Sequence, residues 1–411
     1  MKTVQEPSSP AADRLPVPRR FVFLIAAMGS IGPFAIDTYL PALPAIGRDL
    51  GATPVQVQQT LSIYLLAFAA MTLWHGALSD ALGRRRLLIV GFAVFSLASV
   101  GAALCGSIEA LWGWRALQGA VGGAGIAIGR AIARDVAHGA DAQRLMSQST
   151  MVFAIAPAIA PVIGGVIEAW LGWRAVFGFL ALMSAGLLAA VIWGLPETLP
   201  ANRRQSLHPV AMARGYLSVL RQWAFWRLAG ALTTHFQGFF LYVMAAPAFL
   251  ITHLKLASTQ FYWLFLPMTI GTSLGAFVSS RLAGRLPLDA CIRLGQALMA
   301  MAVLANLVST WALPGVLPWA VLPIGLYTFG LAIAMSALQV MVSDLSPERR
   351  GMVSSCQGFL QSLGNGLAAG FLVPAIWGSL AGLALGSGAL MLVGGLCLAL
   401  DRRFRPLAAA R

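Results

Sequence analysis

Two ionisable side chains stand inside long apolar stretches of this sequence. Asp37 falls in Ile36-Asp37-Thr38-Tyr39-Leu40-Pro41, and Arg115 in Trp114-Arg115-Ala116-Leu117-Gln118-Gly119. A charge held away from water is costly unless it is paired or can change its protonation state. A carboxylate beside a cation in such a place balances between its charged and neutral forms. It can then take up a proton on one side of a membrane and release it on the other. The competing reading is a static ion pair that only fixes two helices. Helical rise puts Asp37 roughly 13 Å from the far end of its run and Arg115 roughly 9 Å from the same surface. At that shared depth the two are expected to pair, directly or through water.

A second group of charges reads Gly76-Ala77-Leu78-Ser79-Asp80-Ala81-Leu82-Gly83-Arg84-Arg85-Arg86. Arginines after an apolar run stop translocation, but the aspartate and the glycines need another reason. Gly83 permits a tight turn. Asp80 can sit at a helix N-terminus or pair with Arg84, and Asp135 is a further partner. Contacts of this kind would latch a gate if they form only when the ends that carry them are closed.

Further along, Ala156-Pro157-Ala158-Ile159-Ala160-Pro161-Val162-Ile163-Gly164-Gly165 combines two prolines with a glycine pair. Prolines interrupt the helix ladder, and glycines let backbones approach. The segment reads either as a pliable helix between two bodies or as close packing alone. Gln357, Gln361 and Asn365 recur every four residues and share one helix face. Lipid would not solvate them, so they face protein or a wet cavity. His235, Gln237, Tyr242, Tyr39, Tyr64 and Gln118 are further candidates to line such a cavity. Trp112, Trp114, Trp170 and Trp173 suit an interfacial belt.

The elements that must hold these residues are membrane spans. Of 411 residues 58% are hydrophobic and only 10% charged, against about 25% charged in soluble domains. Runs near 20 apolar residues, the length needed to cross a bilayer, occur at 21–46, 55–79, 86–105, 109–132, 147–169, 174–195, 225–251, 259–281, 289–311, 317–341, 352–376 and 379–400. The expected fold is therefore all-α, with twelve transmembrane helices in two six-helix halves. The halves are 21–197 and 222–401, joined by a polar linker at 198–221. Tails at 1–20 and 402–411 flank them, the first proline-rich and disordered.

The net charge of +14 does not imply a nucleic-acid partner, because the basic residues recur between the apolar runs. With twelve spans, 24 of the 28 Lys and Arg fall on the side of the termini. That bias places both termini in the cytoplasm. The four cysteines, Cys105, Cys291, Cys356 and Cys397, show no metal spacing, and no cofactor is expected. There is no G-x-x-x-x-G-K-[ST] loop for ATP and no nucleophile-with-base arrangement, so neither an ATP-driven pump nor an enzyme is expected.

Weak repetition relates the halves. Gly83-Arg84 recurs as Gly284-Arg285, and Arg134-Asp135 as Ser343-Asp344. Asp80, Arg130 and Arg115 fall opposite Arg281, Gln339 and Ile324, so embedded charge gathers in the first half. Secondary transporters are commonly built from such repeats, with the substrate between them.

The 76–86 loop resembles the G-x-x-x-D-[RK]-x-G-R-[RK]-[RK] signature of the major facilitator superfamily, with Ala81 in place of the usual basic residue. The 156–165 segment resembles the antiporter motif of twelve-helix drug:proton antiporters, with Ala160 in place of a glycine. Together with Asp37-Thr38-Tyr39-Leu40-Pro41-Ala42, Gln59-Thr60-Leu61-Ser62-Ile63-Tyr64, Gly172-Trp173-Arg174-Ala175-Val176-Phe177 and Pro196-Glu197-Thr198-Leu199, these features are similar to the Bcr/CflA branch. They cover about the first 200 residues. The resemblance implies a monomer in the bacterial inner membrane. It would export a small drug-like compound in exchange for protons, by rocking of the two halves. Uncoupled facilitation, proton symport and a non-transport membrane role are the alternatives.

Overall fold

The computed structural model describes the backbone of residues 19–137 and 139–404, and side chains within 22–137 and 155–400. The expected tails, apart from a few residues at their inner ends, lie outside the described residues. Among those described, every regular element is helical.

The first half comprises α1 (Val22–Asp49), α2 (Pro54–Thr72, continuing as His75–Leu82), α3 (Arg84–Leu104), α4 (Ile108–Val136), α5 (Gly139–Leu171) and α6 (Trp173–Gly194). The second comprises α7 (Trp223–Met244, continuing as Pro247–His253), α8 (Ser258–Leu282), α9 (Leu288–Ala312), α10 (Leu322–Ser343), α11 (Pro347–Ile376) and α12 (Leu380–Leu400). A short helix, Pro209–Leu220, lies in the linker.

Nine of these helices are long and apolar enough to cross a bilayer among the described residues. Two more, α2 and α7, qualify as bent pairs, with bends of 52° and 43°. The described apolar part of α5, Ile155–Leu171, is shorter than a full span. The span count among the described residues is therefore nine, or eleven when each bent pair is one span.

Local sequence sets the boundaries. Thr53 caps α2 by accepting from the Gln56 amide at 3.3 Å, and Gln56 reciprocates to the Thr53 amide at 2.8 Å. This is a capping box, with Pro54 at the first helical position. Pro41 and Pro44 break α1 into a 3₁₀ turn at Leu40–Ala42 and a last stretch at Leu43–Asp49. Gly172 turns α5 into α6 with φ +79°. Beside that turn, Asp49 accepts from the Trp173 indole at 3.0 Å and pairs with Arg174. Arg174 also lies over the Trp173 ring, 4.3 Å from its centroid. Trp173 was expected in an interfacial belt; it is instead buried as part of this clamp.

Inside the first half α1 packs on α5 and α4, α2 on α4, and α3 on α6. In the second, α9 and α8 pack on α10, and α7 on α12. Two seams join the halves: α2 lies along α11, and α5 meets α8. Each seam joins the second helix of one half to the fifth helix of the other, as a two-fold relation between the halves requires.

Candidate functional site

Arg115 is fully buried in α4. One nitrogen, Nη1, donates to the Ala35 carbonyl at 3.1 Å and to Gln118 Oε1 at 2.8 Å. The guanidinium carbon lies 4.5 Å from the Tyr39 ring centre and 4.4 Å from that of Tyr64. A cation between two aromatic faces gains about 2 kcal/mol or more from each when water is excluded. Supporting bonds fix this sandwich. Tyr39 bonds to the Thr60 hydroxyl, Tyr64 donates to the Gly32 carbonyl at 3.2 Å, and Gln118 donates to Ser99 at 2.7 Å.

Two sequence expectations change here. Asp37 and Arg115 form no ion pair. Ala35 and Tyr39, one turn apart, hold the guanidinium. The Asp37 carboxylate, two residues from each, is not among the guanidinium's hydrogen-bond partners. Tyr39, Tyr64 and Gln118, expected along a substrate cavity, are fully buried as the arginine's support. Asp37 remains the only buried carboxylate among the described residues, at 5% exposure.

A second cluster forms at the face that carries the linker. Arg84 bonds to Asp80, donates to Ser79 Oγ at 2.6 Å, and reaches Asp135 at 3.2 Å. Gly83, at φ +97°, is the N-cap of α3 and places the Arg84 amide outward. Glu197 Oε1 accepts from that amide at 3.0 Å and from the Leu199 amide at 3.1 Å. A carboxylate here satisfies an open helix N-terminus and suits its dipole. Thr198 donates to Asp135 at 3.0 Å, Arg204 lies 3.8 Å from Glu197, and the Gln205 amide donates to the Asp80 carbonyl at 3.1 Å.

Asp80, Gly83, Arg84 and Asp135 thus come together as their spacing implies. Glu197, Thr198 and Arg204 complete the cluster. Only the Pro196–Leu199 resemblance signalled the first two of these, with no role attached. All of these partners belong to the first half or the linker. The cluster therefore straps the linker onto the first half, whereas the sequence reading had it latch two moving ends together.

α5 carries Pro157 and Pro161 within the helix. Its adjacent glycines face opposite neighbours. Gly164 abuts the Thr38 carbonyl of α1, next to Asp37, and Gly165 abuts the Ser258 carbonyl of the second half. A Cβ at either position would overlap that backbone oxygen. Gly164→Ala is therefore expected to cost about 1–3 kcal/mol, the usual range for overpacking. Gly178→Ala on α6, where the added carbon meets nothing within 4 Å, should be neutral. Thermal unfolding of both variants in detergent checks this; equal midpoints would refute the close contact.

The other seam is closed at the face away from the linker. Three α2 side chains donate to carbonyls of the second half: Gln58 to Met244 at 3.2 Å, Gln59 to Gly370 at 2.9 Å, and Ser62 to Gly366 at 2.7 Å. Pro374 has no N–H for the carbonyl four residues before it, that of Gly370, and Gln59 supplies the missing donor. These residues were not singled out from sequence, although Gln59 and Ser62 belong to one of the matched segments.

The amides of α11 form a ladder. Gln357 donates to Gln361 at 2.9 Å, and Gln339 of α10 reaches Gln357 at 3.4 Å. Asn365 is buried further along the helix. Gln237 of α7 lies against Gly364 of α11. His235 and Tyr242 depart from the expected cavity lining. His235 packs against Gly394 of α12. Tyr242 accepts from Asn306 of α9 at 2.6 Å, beside a void of about 10 Å³. Both lie within the second half, because α7 presents one face to α12 and α9 and another to α11.

The sequence profile of the Major Facilitator Superfamily matches residues 21–369. A chloramphenicol resistance protein of Pseudomonas aeruginosa is 31% identical over 77% of this chain and 74% of its own length. The bicyclomycin resistance protein homolog of Haemophilus influenzae is 29% identical over 68% and 70%. An uncharacterized MFS-type transporter of Bacillus subtilis, YdgK, is 29% identical over 83% and 85%. Among solved structures, a D-xylose-proton symporter superposes with a TM-score of 0.74 at 16% identity, covering 94% of this chain and 98% of the other. A bacterial homolog of the lysosomal transporter Spinster, in an inward-facing and unoccupied conformation, gives 0.71 at 17% identity over 95% and 99%. These two likenesses concern the fold. The profile match over most of the length, on a helical architecture of two joined halves, means that this chain belongs to the major facilitator superfamily and is a multi-pass membrane transporter.

Proposed function

We propose that this transporter exports a small drug-like or amphipathic compound across the bacterial inner membrane in exchange for protons, and that it works as a monomer. The observation that carries the reading is the glycine pair of α5. Gly164 touches α1 beside Asp37, and Gly165 touches the second half. Movement of one half past the other is thereby felt at Asp37, the one buried carboxylate among the described residues. Asp37 is the proton carrier. Arg115 holds α1 in register through Ala35 and Tyr39 and keeps a fixed positive charge in the same half. Both seams that must open lie within one chain, which fits a monomer.

The linker face is the cytoplasmic one in this reading, since it gathers most of the basic residues. Closure of the α2–α11 seam at the other face then corresponds to a state shut toward the outside. Gln357, Gln361 and Gln237 meet the compound from the cytoplasmic side. The resistance proteins among the relatives support a drug-like cargo.

Expression in a drug-sensitive bacterium tests the proposal. Cells carrying the protein should tolerate more chloramphenicol, bicyclomycin or another member of a panel of uncharged and amphipathic drugs, and should accumulate less of it. A protonophore should erase the difference in accumulation. Unchanged tolerance and accumulation across the panel would count against drug export. A difference that survives the protonophore would count against proton coupling.

A further inference from the structure

The face away from the linker holds a cleft of about 710 Å³ between the halves. Sites for small molecules commonly span about 300–1,000 Å³. One wall is the end of α1 and the start of α2, with Leu43 and Val57. The other is the part of α7 beyond its bend, with Ile251, and the end of α11, with Trp377. The cleft follows from the local sequence. The 43° bend before Pro247 and the π-helical turn Pro247–His253 set the end of α7 off its axis.

Its charge is one-sided. Arg48 is the only Lys or Arg among the lining residues, and no Asp or Glu lines the cleft. The neighbouring carboxylate, Asp49, is already engaged by Arg174 and the Trp173 indole. Arg48 is exposed and has no ion-pair partner among the described residues. Two of the remaining polar groups are already engaged: Gln58 donates across the seam to the Met244 carbonyl, and the His253 ring bonds to the Trp377 carbonyl within the second half at 2.7 Å.

We propose that this cleft binds a small amphipathic anion. Its apolar body lies against Leu43, Val57, Ile251 and Trp377, and its anionic group meets Arg48. The walls belong to different halves, and Gln58 and Met244, which bond across the seam, both line the cleft. An occupant therefore holds the seam shut. Resting on the transport reading above, this makes the cleft an inhibitory site reached from outside.

Binding is measured on the full chain in phosphatidylcholine nanodiscs with dansylglycine, which pairs an apolar ring system with a carboxylate. The expected result is saturable enhancement of dansyl fluorescence above that of empty nanodiscs. Energy transfer from tryptophan should drop in Trp377→Phe with little change in affinity. Arg48→Gln should weaken binding about fivefold, the scale of an exposed ion pair, and should leave binding of neutral dansylamide unchanged. Equal affinity of Arg48→Gln and the parent for dansylglycine would overturn the assignment. So would loss of dansylglycine binding when phosphatidylglycerol is added, because the occupant would then be a lipid headgroup. Neither arm requires transport, so the site can stand if the export reading falls. Dansylglycine outside proteoliposomes should also slow substrate flux in the parent more than in Arg48→Gln; equal slowing would overturn the inhibitory role.

Discussion

Asp37→Asn is expected to abolish substrate-driven proton movement while leaving exchange of unlabelled for labelled substrate intact. Asparagine keeps the size and hydrogen-bonding capacity of the side chain but cannot ionise over any accessible pH. Asp37 is the only buried carboxylate among the described residues, so no neighbour is placed to take over its proton. Arg115 does not depend on it structurally, since the guanidinium is held by Ala35, Gln118, Tyr39 and Tyr64. The fold should therefore survive the change, and the loss should be specific. A drop of roughly a hundredfold in proton flux corresponds to about 2.7 kcal/mol. Equal loss of exchange and of proton flux would mean that Asp37 only supports the structure. Unchanged proton flux would move the coupling site elsewhere.

Arg84→Ala should have the next largest effect, through the strap between linker and first half. The side chain is 9% exposed and joins Asp80 and Asp135, which are 39% and 22% exposed. Removing one partner of a fully buried pair costs about 3–5 kcal/mol. Solvent at Asp80 and Asp135 screens part of that, which leaves roughly 2 kcal/mol. Two carboxylates would then face each other with no cation between them. The linker segment Glu197–Gln205 should loosen, and trypsin should cut after Arg203 and Arg204 at least several times faster than in the parent. Glu197→Ala should give the same phenotype by removing the acceptor for the Arg84 and Leu199 amides. Glu197→Gln retains a carbonyl oxygen for both and should change cleavage little. Identical cleavage rates in all four proteins would show that the cluster does not hold the linker.

Hydropathy alone located the helices, because a bilayer asks about 20 apolar residues of a crossing helix. It did not locate the bends. α2 is broken after Thr72 with no proline at the break, and α7 is broken just before Pro247, inside what reads as one continuous apolar run. The linker-face cluster was partly legible. Asp80, Gly83 and Arg84 lie within one turn of each other in the sequence, and spacing alone brings them together. Glu197 lies 113 residues from Arg84, and only the return of α6 to that face makes them neighbours.

The intramembrane site shows a different limit. Opposite charges at equal depth suggested a pair. Depth fixes height but not rotation, and the guanidinium lies between the rings of Tyr39 and Tyr64 rather than against the Asp37 carboxylate. Tyr39 and Tyr64 were read as surface for a ligand, when the ring faces were already occupied by a cation of the protein itself. His235 and Tyr242 meet neighbours that the sequence did not indicate, for a related reason. Period along α7 groups residues into faces, but it does not say which neighbouring helix each face meets.

The most direct test of coupled export uses the purified protein in proteoliposomes, with whichever panel compound cells tolerate best. With the lumen acid and the medium alkaline, antiport should concentrate an uncharged compound inside the vesicles, because protons leaving down their gradient drive it inward. Collapsing the pH gradient with an ionophore should return the compound to equal concentrations. Accumulation under the reversed gradient instead would identify a symporter, and accumulation indifferent to the gradient would contradict proton coupling altogether.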